Sequence, residues 1–352
     1  MKNWLLVTLL LCLMTSIGAQ EKPVTQSEYR DMLYGIQKGT VTKDQIVEAL
    51  RKRGIDFTVN DGMRSLTRTK GANDADLNRA LEEAGRRSAD PTAAKLPSDV
   101  EARTLIEKAR AATLAAVEEM PDFVVKQQIQ RGIAIAGTNN FKNTDRLVVA
   151  VSYRSTGEEG YKILSFNGML TNNPQEKSSY EEVGGTSSTG EFVTVLATIF
   201  KPEDDAKFEA VDTDVLRGRR TIVYQFSVTK EKAKELITAT GYSTDSTVAG
   251  MKGQLWIDRE DGRVLRIQSE ATDIPSNFII RSAKRNIDYD WVTIAGEKFL
   301  LPSLSDVRLV SAEKSAQYES RNVIKFKDYQ RYGSEVKILD DDIKPEDTKK
   351  PD

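Results

Sequence analysis

The sequence predicts an α+β protein: a small N-terminal helical bundle, then a strongly curved antiparallel β-sheet, a half-open barrel with helices on its concave face. Three observations carry this expectation. Apolar residues recur at intervals of three and four as far as about residue 120. Beyond that point they recur mainly at intervals of two, with turn dipeptides between the runs. A helical interval returns once, around residues 190–200, so a helix interrupts the sheet, and one curved sheet with helices in its concavity is the economical way to bury both.

The first element is a secretory signal. Lys2 precedes an apolar run from Trp4 to Met14, and the small residues Ser16, Gly18 and Ala19 follow before Gln20-Glu21-Lys22. A positive start, a short apolar centre and a small-residue exit predict a signal peptide over residues 1–19, cut after Ala19. The run is shorter than the roughly 20 apolar residues a bilayer demands. Cys12, preceded by Leu11 and followed by more apolar residues, lacks the small neighbour a lipidated cysteine follows. Cleavage at this point predicts a periplasmic or secreted chain with no transmembrane segment. It leaves neither the single cysteine nor any histidine, and removing Lys2 takes the net charge from −2 to −3.

A helical module is expected over residues 27–86. Tyr29, Met32, Leu33 and Ile36 form one stripe, Ile46, Val47 and Leu50 a second, and Leu77, Ala80, Leu81 and Ala84 a third. Gly35, Gly39 and Thr40 close the first helix, and Thr42-Lys43-Asp44-Gln45 reads as a capping box opening the next. Arg53 to Phe57 is a turn with two apolar anchors, Ile55 and Phe57. Residues 87–100, with Pro91, Pro97, Ser88 and Ser98, read as a linker.

The main domain is expected over residues 101–338. Glu101 to Met120 is amphipathic and ends at Pro121. Strand patterns follow at Asp122–Ala136, Arg146–Tyr153, Gly160–Phe166, Arg220–Val228, Gln254–Asp258, Arg263–Ala271, Asn277–Thr293, Lys298–Val310 and Arg321–Tyr332. Phe192, Val195, Leu196 and Ile199 predict the intervening helix over Gly190–Phe200. Asp261-Gly262, Ala295-Gly296 and Gly157 to Gly160 supply the turns. The charged, proline-containing residues 339–352 read as disordered.

Two stretches resemble known families. Arg53 to Phe57, Leu66, Gly71-Ala72 and Leu77 to Leu81 are similar to a small helical module of bacterial multidomain proteins, recognised by its RGIDF turn, which implies docking or spacing and no chemistry. Thr113 to Gln128, a helix running into a strand, resembles the opening of the LolA-like periplasmic lipoprotein-carrier superfamily, as do Gly250 to Asp258 and the paired Val264 to Ile267. Closer still is a group of uncharacterised exported bacterial proteins, whose blocks match Met120–Phe123, Gly190–Phe200, Gly253–Asp258, Val264–Ile267, Ile274-Pro275 and Leu300–Pro302. The resemblance implies an incomplete barrel with an apolar concave face suited to an acyl chain.

Composition narrows the chemistry. With no histidine and one cysteine, a Ser-His-Asp triad, a Cys-His dyad, an imidazole base and a His-ligated metal are all excluded. The near-balance of 51 basic and 53 acidic residues gives no reason to expect nucleic acid as a partner. The carboxylate runs Glu158-Glu159, Glu181-Glu182 and Glu203-Asp204-Asp205 read as solvated loops, because a glycosidase pair must face across a cleft. Asp340-Asp341-Asp342 lacks calcium-loop spacing. Gly184 to Gly190 lacks the Gly-Lys-Ser/Thr ending of a phosphate loop, and Arg217-Gly218-Arg219-Arg220 reads as a hairpin turn with a solvated face. The sequence nominates no catalytic residue, metal ligand or cofactor.

The candidate ligand-lining residues are therefore apolar: Leu147, Val149 and Val151 on one strand, Ile222, Tyr224 and Phe226 on another, and Trp256. Two functions remain open, with a carboxylate-based hydrolase a distant third. One is a non-catalytic envelope protein holding a lipid or a lipoprotein acyl chain in the half-barrel, with residues 27–86 available to a protein partner. The other is an envelope interaction or sensor module whose barrel is packed shut.

Overall fold

The computed structural model describes residues 22–334 except 93, 172–190, 193, 234, 241–243 and 314–315. The signal segment with Cys12, Glu181-Glu182, Gly184 to Gly190 and the charged tail thus lie outside the described residues. The chain divides into two compact units, Met1–Pro91 and Thr92–Asp352.

Among its described residues the first unit holds four helices: α1 (Gln26–Lys38), α2 (Lys43–Arg53), α3 (Asp61–Lys70) and α4 (Ala75–Ala89). Their stripes meet in one core of Tyr29, Leu33, Ile46, Val47, Leu50, Ile55, Met63, Leu77, Ala80, Leu81 and Ala84. The Arg53–Phe57 turn serves this core directly. Ile55 is buried and bridges to Val24, and the Phe57 ring lies 5.8 Å from that of Tyr29. Burial pushes the Tyr29 hydroxyl up to about 12, and it donates to Thr67, which in turn donates to the Met63 carbonyl.

The expected capping box is present. The Gln45 N–H donates to the Thr42 hydroxyl at 3.2 Å, and the Thr42 N–H donates to the Gln45 side chain at 2.9 Å. Thr42→Ala removes an acceptor from an otherwise orphaned N–H, so unfolding of the full chain should show the helical unit losing about 1 kcal/mol. A loss under about 0.3 kcal/mol would mean that water replaces the cap without cost.

The second unit opens with α5 (Asp99–Glu118), followed by β1 (Phe123–Ile135), β2 (Lys142–Tyr153), β3 (Glu159–Phe166), β4 (Met169–Leu170), α6 (Thr194–Phe200), β5 (Lys207–Leu216), β6 (Arg219–Val228), α7 (Lys230–Ala233), β7 (Glu235–Thr240), β8 (Thr244–Asp258), β9 (Val264–Thr272), β10 (Ile280–Ile294), β11 (Glu297–Glu313) and β12 (Ala316–Arg331). The strands form one open, curved antiparallel sheet in the order β4-β3-β2-β1-β12-β11-β10-β9-β8-β6-β5, and β7 pairs with β8. The β1–β12 pairing joins the two ends of the chain's meander in the middle of the sheet, so the free edges fall at β4 and β5.

Every strand in the sequence expectation is present. Three were missed outright, the two-residue β4 and the longer β5 and β7, together with the first half of β8. The physical reason is visible in β5, where Asp212 and Asp214, residues that strands usually avoid, are buried. Asp214 earns its place by accepting the indole N–H of Trp256 at 2.9 Å.

The segment read as a linker is shorter than expected, since α4 runs to Ala89 and α5 starts at Asp99. Within the second unit, residues 94–101 lie against the sheet. Thr213 donates to the Ala94 carbonyl at 3.2 Å, and Arg259 reaches both the Lys95 carbonyl and Glu101.

With Arg217 and Gly218 at positive φ, the Arg217–Arg220 segment is the β5–β6 hairpin turn, and Arg217 and Arg220 are exposed on it as expected. Arg217 donates to the Tyr289 carbonyl at 2.5 Å, and Arg219 pairs with Asp258 and Asp261.

Asp258 has a second task, accepting the Glu260 and Asp261 N–H groups at 2.9 Å to shape the β8–β9 turn. Burial opposes its charge, but the Arg219 guanidinium and these two N–H groups win, holding the carboxyl below its usual 3.8. The resulting stabilisation is complete above about pH 4 and is lost as pH falls through the depressed value. Asp258→Asn should therefore be less stable than the parent at pH 7 and converge with it in acid. A constant gap across pH would place the effect elsewhere.

Candidate ligand site in the half-barrel

Alternation decides which side chains meet. On β6, Ile222, Tyr224 and Phe226 share a face, and the β6–β8 register sets Tyr224 opposite Leu255 and Val223 opposite Trp256. Trp256 thus points to the other side of the sheet, where it packs with Leu216, Val223 and Leu265 beneath the Arg266 guanidinium. Leu147, Val149 and Val151 share a face of β2, paired in register with Ile129, Gln127 and Val125 of β1.

The seven candidates therefore fall into three groups. Ile222, Tyr224 and Phe226 join a core with Leu105, Ile106 and Ala109 of α5 and Val195, Ile199 and Phe200 of α6. Leu147, Val149 and Val151 join a second core with Met120, Phe123, Val125, Ile163, Phe192 and Phe326. Trp256 belongs to the third, on the opposite face. None of the seven is more than 2% exposed.

Helix α5 is held tightly in place. The Tyr224 hydroxyl donates to the Ala102 carbonyl, Arg263 to that of Ala112, and Lys108 to that of Glu260. Next to α6, Phe192 inserts into the second core. Its ring meets Phe123 at 5.2 Å and Phe326 at 5.6 Å, both nearly perpendicular, and Tyr153 at 6.0 Å. Phe192 and α6 thus contribute to the two cores, which explains why Phe192 shares the apolar spacing of α6 although the helix starts only at Thr194.

Polar side chains that the sequence reading passed over are buried with them. Glu191 is fully buried and neither carboxylate oxygen has a hydrogen-bond partner. The Tyr289 hydroxyl and the Ser305 hydroxyl are buried without partners too. Burial, reinforced by the Glu191 carboxylate, pushes the ionisation of the Tyr289 and Tyr329 hydroxyls well above the ordinary phenol value. Tyr329 is satisfied, donating to the Pro302 carbonyl at 2.6 Å, and Pro302 lies opposite Tyr289 in the β10–β11 register. Ser305 lies opposite Ile287, a member of the same core as Tyr289. A lone acid before an apolar segment and a serine inside a strand carry no spacing signal, so only packing brings these groups to notice.

A separate cleft of about 510 Å³ lies at one end of the sheet, lined by Pro121, Asp122, Ile294, Ala295, Glu297, Phe299, Arg331 and Tyr332. Asp122 is committed there. It accepts the Ser155 N–H at 2.7 Å and pairs with Arg154 at 3.0 Å, which hold its carboxyl below the usual range, while the Arg154 guanidinium stacks 3.5 Å over Tyr332. Among the described residues no cluster of three or more acidic, cysteine or histidine side chains could hold a metal ion, and no helix is long and apolar enough to cross a membrane.

No family model and no curated protein matches the chain. Among solved structures it is similar to a DUF1329 family protein from Desulfovibrio piger, at 9% identity, covering 66% of this chain and 94% of that one, with a TM-score of 0.27. A Pseudomonas aeruginosa MucA/MucB complex aligns at 8% identity over 62% of this chain and 93% of that one, TM-score 0.17. MucB in complex with MucA(peri) aligns at 9% over 63% and 94%, TM-score 0.16. Overlap this loose transfers no function from those proteins to this one.

Proposed function

We propose that the chain is an exported, non-catalytic binding protein of the bacterial cell envelope whose half-barrel holds the apolar part of a ligand, a lipid or an acyl chain. The observation that carries this reading is the set of buried, partnerless polar groups beside two apolar cores. Burying a polar group without a hydrogen bond is costly, and native interiors pair almost all of them. In this reading Phe192 and α6 stand where the ligand's apolar part lies. The signal-like N-terminus supports export, and in this reading the helical module of residues 27–86 serves a protein partner.

The second reading, an envelope interaction or sensor module with a packed barrel, is favoured by one observation: all seven candidate lining residues are already covered by protein. Native mass spectrometry of the protein purified from the exported fraction separates the two. Co-purifying lipid is the expected result. A clean apo mass together with no uptake of a fluorescent fatty acid would sink the carrier reading and leave the interaction module.

A further inference from the structure

We propose that the cleft at the end of the sheet is a strand-addition site for an extended peptide of mixed charge with an apolar side chain at its centre. The site lies away from the residues assigned to the apolar ligand and does not depend on that reading.

The cleft exists because the sheet splits. The β11–β12 register runs from Glu313–Ala316 to Leu304–Lys325 and stops there. On one side β11 stays paired with β10 as far as Ile294–Glu297, and on the other β12 stays paired with β1 as far as Phe123–Arg331. Pro302, which has no N–H, and Asp328, at a φ of 56°, lie just past the last β11–β12 pair and end the ladder. The Tyr329 hydroxyl crosses the split at that point to the Pro302 carbonyl. Both sides of the split line the cleft: Ile294, Glu297 and Phe299 from the β10–β11 hairpin, and Asp122, Arg331 and Tyr332 from the β1–β12 end.

Hairpin geometry shows what β11 offers to it. Ala295 and Gly296 both have positive φ, so the turn is the two-residue type whose flanking pair, Ile294 and Glu297, exchanges both hydrogen bonds. Alternation then turns the N–H and C=O groups of Lys298 and Leu300 away from β10, to the side where β12 no longer pairs. A strand edge of this kind is a template for another strand. From Glu297 to Leu301 it is ~17 Å long at about 3.4 Å per residue, room for about five residues of extended chain.

The side chains set the specificity. Phe299 and Ile294, both part of the second core, form an apolar floor. Arg331 and Glu297 are exposed beside it, pair with nothing among the described residues and do not pair with each other. Asp122, by contrast, is taken by Arg154 and the Ser155 N–H. An acidic side chain facing Arg331 and a basic one facing Glu297 complement both charges. An acyl chain offers nothing to strand N–H and C=O groups or to exposed charges. The edge strand of a second copy arrives attached to its own sheet, which a slot walled on both sides does not admit.

The test is selection from a library of blocked hexapeptides by the full exported chain, read by mass spectrometry, with affinities of the selected peptides measured by fluorescence anisotropy. Selected peptides should carry an apolar residue between an acidic and a basic one. Arg331→Glu should reverse the preference at the acidic position and Glu297→Lys at the basic one, each by about fivefold, the size of an exposed ion pair. Both residues are exposed, so circular dichroism should show the variants folded. N-methylation of the peptide should weaken binding at least about tenfold at alternate positions, where its N–H meets the β11 edge, and leave the positions between them unaffected. Equal tolerance of N-methylation at every position, unchanged preferences in both charge reversals, or no selection at all overturns the site. A dimer of the parent that Arg331→Glu dissolves makes a second copy the occupant and also overturns it. Uptake of a fluorescent fatty acid should be the same in the parent and both variants, so the carrier reading stands or falls separately.

Discussion

Replacing Phe192 by alanine should destabilise the second unit by about 3–5 kcal/mol, the range for deleting a buried aromatic ring. Phe192 is 2% exposed and its ring sits among Phe123, Tyr153 and Phe326, each within 6.0 Å, so the space it leaves is bounded by stiff aromatic neighbours that cannot readily close in. Edge-to-face pairs add to the area lost. Equilibrium unfolding in urea measures the effect, and Phe192→Leu, which refills most of the volume, should recover at least half of it. A cost below about 1 kcal/mol would show that residues 192–200 are not seated in the sheet as described. The same variant reports on function. If the half-barrel holds an apolar ligand, the vacated aromatic space should strengthen uptake of a fluorescent fatty acid even as the fold weakens. Loss of stability with unchanged uptake would confine Phe192 to a packing role.

The second large effect is expected at Gly253. A Cβ there would lie 1.9 Å from the Gln268 carbonyl oxygen of the neighbouring strand and 2.9 Å from the Phe226 ring. The first contact is with backbone, which cannot swing aside, so β8 and β9 must part in the middle of the sheet where Gly253 pairs with Ser269. Overpacking of this kind costs about 3 kcal/mol, at the upper end of its usual range. Gly253→Ala should therefore lower the urea midpoint about as far as deleting a core side chain, although it adds only one methyl. An effect under about 0.5 kcal/mol would mean that the two strands lie farther apart than described. The contact also gives a physical reason for glycine at the head of the Gly253–Asp258 block: the residue sits where two backbones come too close for any side chain.

Much of the fold can be read without coordinates, for identifiable reasons. The three stripes of the helical module, the Thr42 cap, and the Asp261-Gly262 and Ala295-Gly296 turns are local. Spacing, cap chemistry and positive-φ residues are sufficient to place them. The missed strands β5 and β7 carry acids or threonines whose suitability depends on a partner elsewhere, as Asp214 depends on Trp256 forty-two residues later. The candidate site was legible in half. Alternation found the apolar faces of β2 and β6, but grouping Trp256 with them failed, because its side of the sheet follows from the register with β6, with Val223 as its partner.

By itself, then, the sequence determined the class of protein. The want of histidine removed the common catalysts, the change of interval near residue 120 divided helix from sheet, and the helical spacing around residue 195 announced a segment packed against strands. Only the tertiary structure decided what the concave face contains. It seats α5, α6 and Phe192 over two apolar cores, and it buries Glu191, Tyr289 and Ser305 without partners. Periodicity reports which side chains leave water, because that depends on near neighbours in the chain. Whether a buried polar group is satisfied depends on residues that only folding brings together, and that is where the question of a ligand lies.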